Sequence, residues 1–229
     1  MPSILITGAN RGLGLEFARQ YAEAGHRVFA AVRDPSKASE LRSLRERHAN
    51  LSIHQVEIAE ADSVRALAGA LKSEPIDLLL NNAGWYGPKQ QTIGQIDYDG
   101  LLETLRINTI APLRVVEAFL PHVEKSDRKL LVAITSGMGS IAESSGGFYA
   151  YRASKAALNM TYRNLALDLK GRGVTSVVIN PGWVQTDMGG SGAPLSPKES
   201  IAKMRAIFDG LTLADSGKFL NYRGGTLPW

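Results

Sequence analysis

The chain has no cysteine among its 229 residues, which excludes disulfides and thiolate-held metals. Its four histidines, His26, His48, His54 and His122, lie far apart without the spacing of a ligand set, so no metal site is expected. Long hydrophobic runs are missing too, and no membrane span is expected. The net charge is only +4, and the densest basic stretches, RSLRERH (42–48) and KSDRK (125–129), carry no interleaved aromatics. They read as solvated surface, with no nucleic-acid partner implied. A glycine-rich turn begins at residue 8 and leaves no room for a signal peptide, so the expected compartment is the cytoplasm.

What is present is a 44% hydrophobic content, enough for one well-buried α/β domain over residues 1–229. Apolar or β-branched runs occur at 3–7, 27–32, 51–58, 76–80, 129–135, 175–179 and 218–222. Segments of helical period lie between them, near 12–24, 36–48, 62–73, 98–124, 150–171 and 197–209. Gly25 is expected to close the first helix, Asp62 to cap the third, and Ser196 with Pro197 to open the last. Strict alternation predicts βαβ crossovers and a doubly wound parallel sheet that binds ligands beyond the carboxyl ends of its strands. The stretch GGSGAPLSP (189–197) predicts a mobile loop.

The first strand runs into TGANRGLG (7–14) and then into an amphipathic helix. Gly8, Gly12 and Gly14 let the backbone turn sharply and approach a ligand, and the helix start favours an anion such as a pyrophosphate. The spacing is Gly-x-x-x-Gly-x-Gly, not G-x-G-x-x-G, and taken alone it fits a plain strand-to-helix turn equally. It is joined by NNAG (81–84), the serine of ITSGMGS, YRASK (151–155) and NPGWVQTDM (180–188). In this order and approximate spacing the set resembles the short-chain dehydrogenase/reductase family over nearly the whole chain. Within that family it most resembles the sniffer-type carbonyl reductases and the bacterial C-factor-like proteins.

The resemblance implies a Rossmann-like, mostly parallel seven-stranded sheet with helices on both faces, a nicotinamide cofactor, and reduction of a small-molecule carbonyl. By the same resemblance the cofactor would meet Gly8, Asn10, Arg11, Gly12, Leu13 and Gly14 of the glycine turn, and Asn82, Ala83 and Gly84 after the fourth strand. Pro181, Gly182, Val184 and Thr186 would receive the nicotinamide, and Glu57 with Ile58 would lie near the adenine. Glu57 stands where the family usually has aspartate. An NAD enzyme needs an acid at the end of the second strand, whereas an NADP enzyme needs a cation for the 2′-phosphate. The family's ribose-binding acid aligns with the neutral Val32 and its phosphate-binding arginine with Arg33, so NADP(H) is expected, with Arg11 as a second cation. Asp34, 20 residues past Gly14, keeps NAD(H) open but also suits a turn residue before Pro35.

Two tyrosines precede a lysine in FYAYRASKAALN (148–159). Tyr151 and Lys155 are four apart, about 400° of helical rotation, and so share one face. Tyr149 lies on a different side. A nearby ammonium is expected to lower the phenol pKa and make Tyr151 a general acid. The family places its serine at Ser136, an oxyanion stabiliser, with Ser140 and Thr135 as alternatives. The interval from Ser136 to Tyr151 is two residues longer than the common family spacing, which would instead select Tyr149. Asn108, in LRINTIAP, matches the asparagine that holds a relay water against Lys155, or is simply a helix-interrupting asparagine ahead of Pro112. Trp85, Tyr86, Met138, Tyr149, Trp183 and Met188 are expected around an apolar substrate pocket, at least two of them as core or interface. A homodimer through the helices near 98–124 and 150–171 is the expected assembly, and a signalling protein of C-factor type with little turnover is the alternative function.

Overall fold

Runs of aliphatic and β-branched residues that cannot stay in water on either face become the strands of one parallel sheet. The computed structural model describes residues 1–229. The strands are β1 (Ser3–Thr7), β2 (Arg27–Val32), β3 (Leu51–Gln55), β4 (Leu78–Asn81), β5 (Leu130–Ile134), β6 (Thr175–Asn180) and β7 (Phe219–Asn221). Their order across the sheet is β3-β2-β1-β4-β5-β6-β7, and every pairing is parallel. The order reverses between β1 and β4, which opens a crevice beyond their carboxyl ends.

The period of two sorts each strand between two cores. Ile4, Ile6, Leu80 and Val132 pack with Phe17 and Phe208, under α1 (Gly12–Glu23), α2 (Ser39–Arg47) and α7 (Pro197–Gly210). Leu5, Leu79 and Leu131 pack with Phe119 and Tyr162, under α3 (Ala61–Ala70), α5 (Ala111–Glu124) and α6 (Tyr149–Asp168). No helix is long and apolar enough to cross a membrane.

The helix expected at 36–48 is divided, because Asp34 accepts hydrogen bonds from the Ser36 amide and hydroxyl and starts a short 3-10 turn, Pro35–Lys37, ahead of α2. Asp62 does not cap α3: the cap position is Glu60, which makes no side-chain bond, and Asp62 is the second residue of the first turn, beside Arg65. Ser196 does cap α7, accepting from the Glu199 amide at 3.2 Å. The long helix near 98–124 is interrupted. It comprises α4 (Tyr98–Leu105), a π-helical turn over Arg106–Ile110, and α5. The 189–197 stretch is exposed at Gly190, Ser191, Gly192 and Pro194 and anchored at two points between and beyond them. Leu195 and Ala193 are buried, Leu195 bridges to Val184, and the Gln185 amide donates to the Leu195 carbonyl at 2.8 Å.

Candidate active site

At the end of β1 the chain turns through Gly8 at φ 68° and Gly12 at φ 54°, where a side chain would be strained. A Cβ on Gly14 would collide with the Gly8 carbonyl and the Asn82 amide, so this close packing needs glycine. α1 starts at Arg11 with no side-chain cap and no acid in its first turn, which leaves its leading N–H groups directed at the crevice. Beyond Gly12 the nearest neighbour of an added Cβ would be Thr186 Cγ2, at 3.5 Å. This uncapped, glycine-lined start suits a pyrophosphate.

Several expected contacts turn out to be the cradle's own struts. Asn82 Nδ2 donates to the Thr7 carbonyl at 2.9 Å and the Gly8 carbonyl at 3.2 Å, and Thr7 Oγ1 accepts from the Asn82 and Ala83 amides. Arg11 is engaged with Asp187 at 2.6 Å, across from the glycine turn. Ile58, Pro181 and Val184 are buried. Asn10, Leu13 and Gly182 remain partly accessible in the same crevice, and Thr186 accepts from the Gly189 amide.

At the end of β2, Arg33 extends into solvent and approaches Glu57 to 3.9 Å. Asp34 points elsewhere. Its carboxylate is held below the usual range by the Ser36 hydroxyl, with the Ser36 amide and Lys37 adding to the effect. That use leaves Arg33 as the exposed charge at the end of β2. Glu57 folds back onto the Ala59 amide at 3.2 Å.

Tyr151 and Lys155 lie on one buried face of α6, with Lys155 Nζ 5.7 Å from the Tyr151 ring centre. Tyr149, the first residue of α6, is 41% exposed. Tyr151, and not Tyr149, thus shares the buried face with Lys155. Thr135 and Ser140 are buried and committed, to Asn159 at 2.7 Å and to the Pro228 carbonyl at 2.8 Å, which leaves Ser136 as the available hydroxyl. Asn108 sits in the π turn, buried, with Oδ1 accepting from the Trp85 amide and Nδ2 donating to the Trp85 carbonyl and Ser154 Oγ. Gly84 separates it from Lys155: a Cβ there would lie 3.3 Å from Asn108 Oδ1 and 3.6 Å from Lys155 Nζ.

The ionisation differs from the expectation. Burial pushes the Tyr151 phenol up to about 12, and the Ser136 hydroxyl pulls it only partly back. Burial also brings the Lys155 ammonium down to about 8. The lysine donates to the Ile134 carbonyl at 2.9 Å rather than to the phenol, so desolvation outweighs the attraction on which the expected shift relied.

Around the phenol, the Tyr86 ring centre lies 4.7 Å from that of Tyr151, and Met188 Sδ is 4.0 Å from its hydroxyl. None of the six expected pocket residues is buried in the core: Trp85, Tyr86 and Met138 are half-buried and Tyr149, Trp183 and Met188 exposed. Two residues were not anticipated. Phe148, at φ 50°, packs 5.7 Å from Tyr86, and Gln91 is buried between that loop and α6. A polar side chain in a loop and an aromatic beside two glycines carry no signal of this kind in sequence.

This crevice and sheet match a known class. The family model for short chain dehydrogenase covers residues 2–194, and the chain belongs to the short-chain dehydrogenase family, which makes it an NAD(P)-dependent oxidoreductase. It is 43% identical over 167 residues to C-signal of Myxococcus xanthus, covering 72% of this chain and 100% of that protein. The structure of carbonyl reductase Sniffer of D. melanogaster matches with a TM-score of 0.94 and 35% identity, over 100% of both chains. The NADPH-bound carbonyl reductase from chicken fatty liver matches with a TM-score of 0.93 and 36% identity, over 100% of this chain and 99% of that one.

Proposed function

We propose that this chain reduces an aldehyde or ketone to an alcohol with NADP(H), using Tyr151 as general acid. The observation that carries the reading is the pairing of Tyr151 with Lys155 on one buried helical face, at the end of the glycine-lined crevice. NADPH, when bound, supplies the hydride. Gly8, Asn10, Arg11, Gly12, Leu13 and Gly14 would hold its pyrophosphate side, with Asn82, Ala83 and Gly84 flooring the adenosine half. Glu57 and the Ile58 backbone would border the adenine, and Pro181, Gly182, Val184 and Thr186 the nicotinamide. Arg33 would bind the 2′-phosphate.

Tyr151, protonated across the neutral range, gives its proton to the carbonyl oxygen as negative charge develops there. Ser136 donates to the same oxygen. Lys155 would hold the nicotinamide ribose, and Asn108 keeps the Trp85 backbone in place beside the proton path. The exposed rings of Tyr149 and Trp183, together with Tyr86 and Met188, give the substrate an apolar entrance. A screen of purified protein with NADPH against aldehydes, ketones and quinones tests the reading, which fails if no carbonyl is turned over. A second reading, a nicotinamide-nucleotide-binding signalling protein, is favoured by the similarity to C-signal, and the same empty screen would support it.

The cofactor assignment has its own expected result. Arg33→Ala lowers NADPH affinity by about ten- to a hundredfold and leaves NADH affinity nearly unchanged, because a charge-assisted bond of about 1.5–3 kcal/mol is lost. Fluorescence titration with both cofactors reads this out, and a wild-type protein that binds them equally well refutes it.

The assembly we infer is a homodimer. Leu102, Ile110, Met160 and Leu167 leave apolar surface exposed on α4, the π turn and α6. Val116 does not contribute, since it is buried against the sheet. Light scattering at micromolar concentration is expected to give twice the 24.7 kDa chain mass, and a monomer alone would exclude the dimer.

A further inference from the structure

α6 begins without a cap of its own. Phe148 occupies the cap position in the left-handed conformation and makes no side-chain bond to the first turn. The leading N–H groups of a helix need partners from elsewhere. Two of them find one residue, Gln91, in the loop between β4 and α4: the Tyr149 amide donates to the Gln91 carbonyl at 3.4 Å, and the Tyr151 amide to Gln91 Oε1 at 3.0 Å.

The other end of the same amide group is also occupied. Gln91 Nε2 donates to the Tyr86 carbonyl at 3.0 Å and the Pro88 carbonyl at 2.8 Å, which uses both of its hydrogens. Gln91 is only 3% exposed. Gly87 lies against it so closely that a Cβ there would come within 3.2 Å of Nε2. The loop held in this way carries Tyr86, whose ring packs on both Tyr151 and Phe148.

We propose that Gln91 is a positioning residue for the reaction: it caps the catalytic helix from a different loop and locks Tyr151 and Tyr86 into one rigid unit. The inference rests on the reading of Tyr151 as the proton donor. Without the Oε1 acceptor the first turn of α6 loosens and carries the phenol, its third residue, away from the carbonyl oxygen. Lys155 lies one turn further in and keeps its own anchor at Ile134, so cofactor binding is spared.

The test compares Gln91→Met, Gln91→Glu and Tyr151→Phe for NADPH Kd, kcat, KM and thermal midpoint. Methionine keeps the volume but removes every hydrogen bond of the side chain. Glutamate keeps the acceptor for the Tyr151 amide and loses donors to the loop. Gln91→Met is expected to lower kcat by about 10- to 100-fold with NADPH Kd within about twofold of wild type, since misplacement by about 1 Å is enough for such a loss. Gln91→Glu should keep kcat within about threefold and raise KM, because its damage is confined to the Tyr86 loop.

A merely structural role gives the opposite ranking, since a carboxylate buried against two carbonyls unsettles the fold more than methionine does. Wild-type kcat in Gln91→Met, a fall in kcat matched by lost NADPH affinity, or Gln91→Glu slower than Gln91→Met would each overturn the proposal. If Gln91→Met is insoluble, Gln91→Glu decides alone: preserved kcat with raised KM supports the proposal, and reduced kcat at unchanged KM overturns it. An active Tyr151→Phe would defeat the acid assignment itself, whereas an inactive Tyr151→Phe beside a wild-type-like Gln91→Met would defeat only the role of Gln91.

Discussion

Tyr151→Phe is expected to fold, to bind NADPH and to lose about 10²-fold or more in turnover, because general acid catalysis disappears while the ring still packs against Tyr86. The hydroxyl has Ser136 as a neighbour and Met188 Sδ as a weak acceptor at 4.0 Å, and the partly exposed Ser136 hydroxyl can turn to water when the phenol oxygen is removed. Tyr149→Phe should keep turnover within a small factor, since Tyr149 stands at the exposed first position of α6. Steady-state kinetics of the two variants decide the matter, and a dead Tyr149→Phe beside an active Tyr151→Phe would reverse the assignment. The phenol, pushed up to about 12, is protonated where reduction needs it, so the reverse oxidation should gain with rising pH.

Lys155→Met is expected to produce a more stable and less active protein. The Lys155 ammonium sits at about 8 in the folded chain against 10.5 in the unfolded one, with burial as the cause. The folded state therefore binds its proton more weakly, and the cost of burying the charge is fully present below pH 8. It is relieved as pH rises from about 8 to 10.5, where the unfolded chain binds more protons than the folded one. A gap of this size corresponds to about 3 kcal/mol, from which the lost bond to the Ile134 carbonyl takes about 1–2 kcal/mol. Methionine should thus raise stability by about 1–2 kcal/mol at pH 7, and the gain should shrink between pH 8 and 10.5. Tyr151, whose folded value is raised, loses stability above pH 10 in both proteins and largely cancels from the difference. Turnover and NADPH affinity should fall together, since Lys155 serves both. Denaturant titrations across this pH range test the balance. A variant less stable at pH 7, or a gap independent of pH, would show that the buried ammonium carries no such cost.

The exchange of stability for activity is expected where a charged group is held dry for chemistry. It also separates what the residues alone disclose from what folding adds. The interval from Tyr151 to Lys155 spans one helical turn, and the glycines of TGANRGLG mark a turn wherever the chain runs strand to helix. Such features depend on neighbours within a few residues, and the apolar periods that mark the strands and helices are equally local. The seven strands, the shared helical face of Tyr151 and Lys155 and the turn role of Asp34 were legible for that reason.

Other features depend on segments distant along the chain. The capping of Tyr151 by Gln91 joins residues 60 apart, and no composition or period signals it. The 189–197 stretch reads as a plain glycine-rich loop, yet Leu195 within it belongs to the buried core. Asn108, in the π turn, bonds the Trp85 backbone and Ser154, partners supplied by two other elements. The protonation of the Tyr151–Lys155 pair was misjudged because proximity is visible in sequence and desolvation is not. Local backbone geometry and apolar periodicity determined the sheet, the glycine turn and the Tyr–Lys register. Only tertiary packing decided how deeply those groups lie, which partners hold them and which of their charges survive, since dielectric environment and long-range hydrogen bonds exist only once distant segments meet.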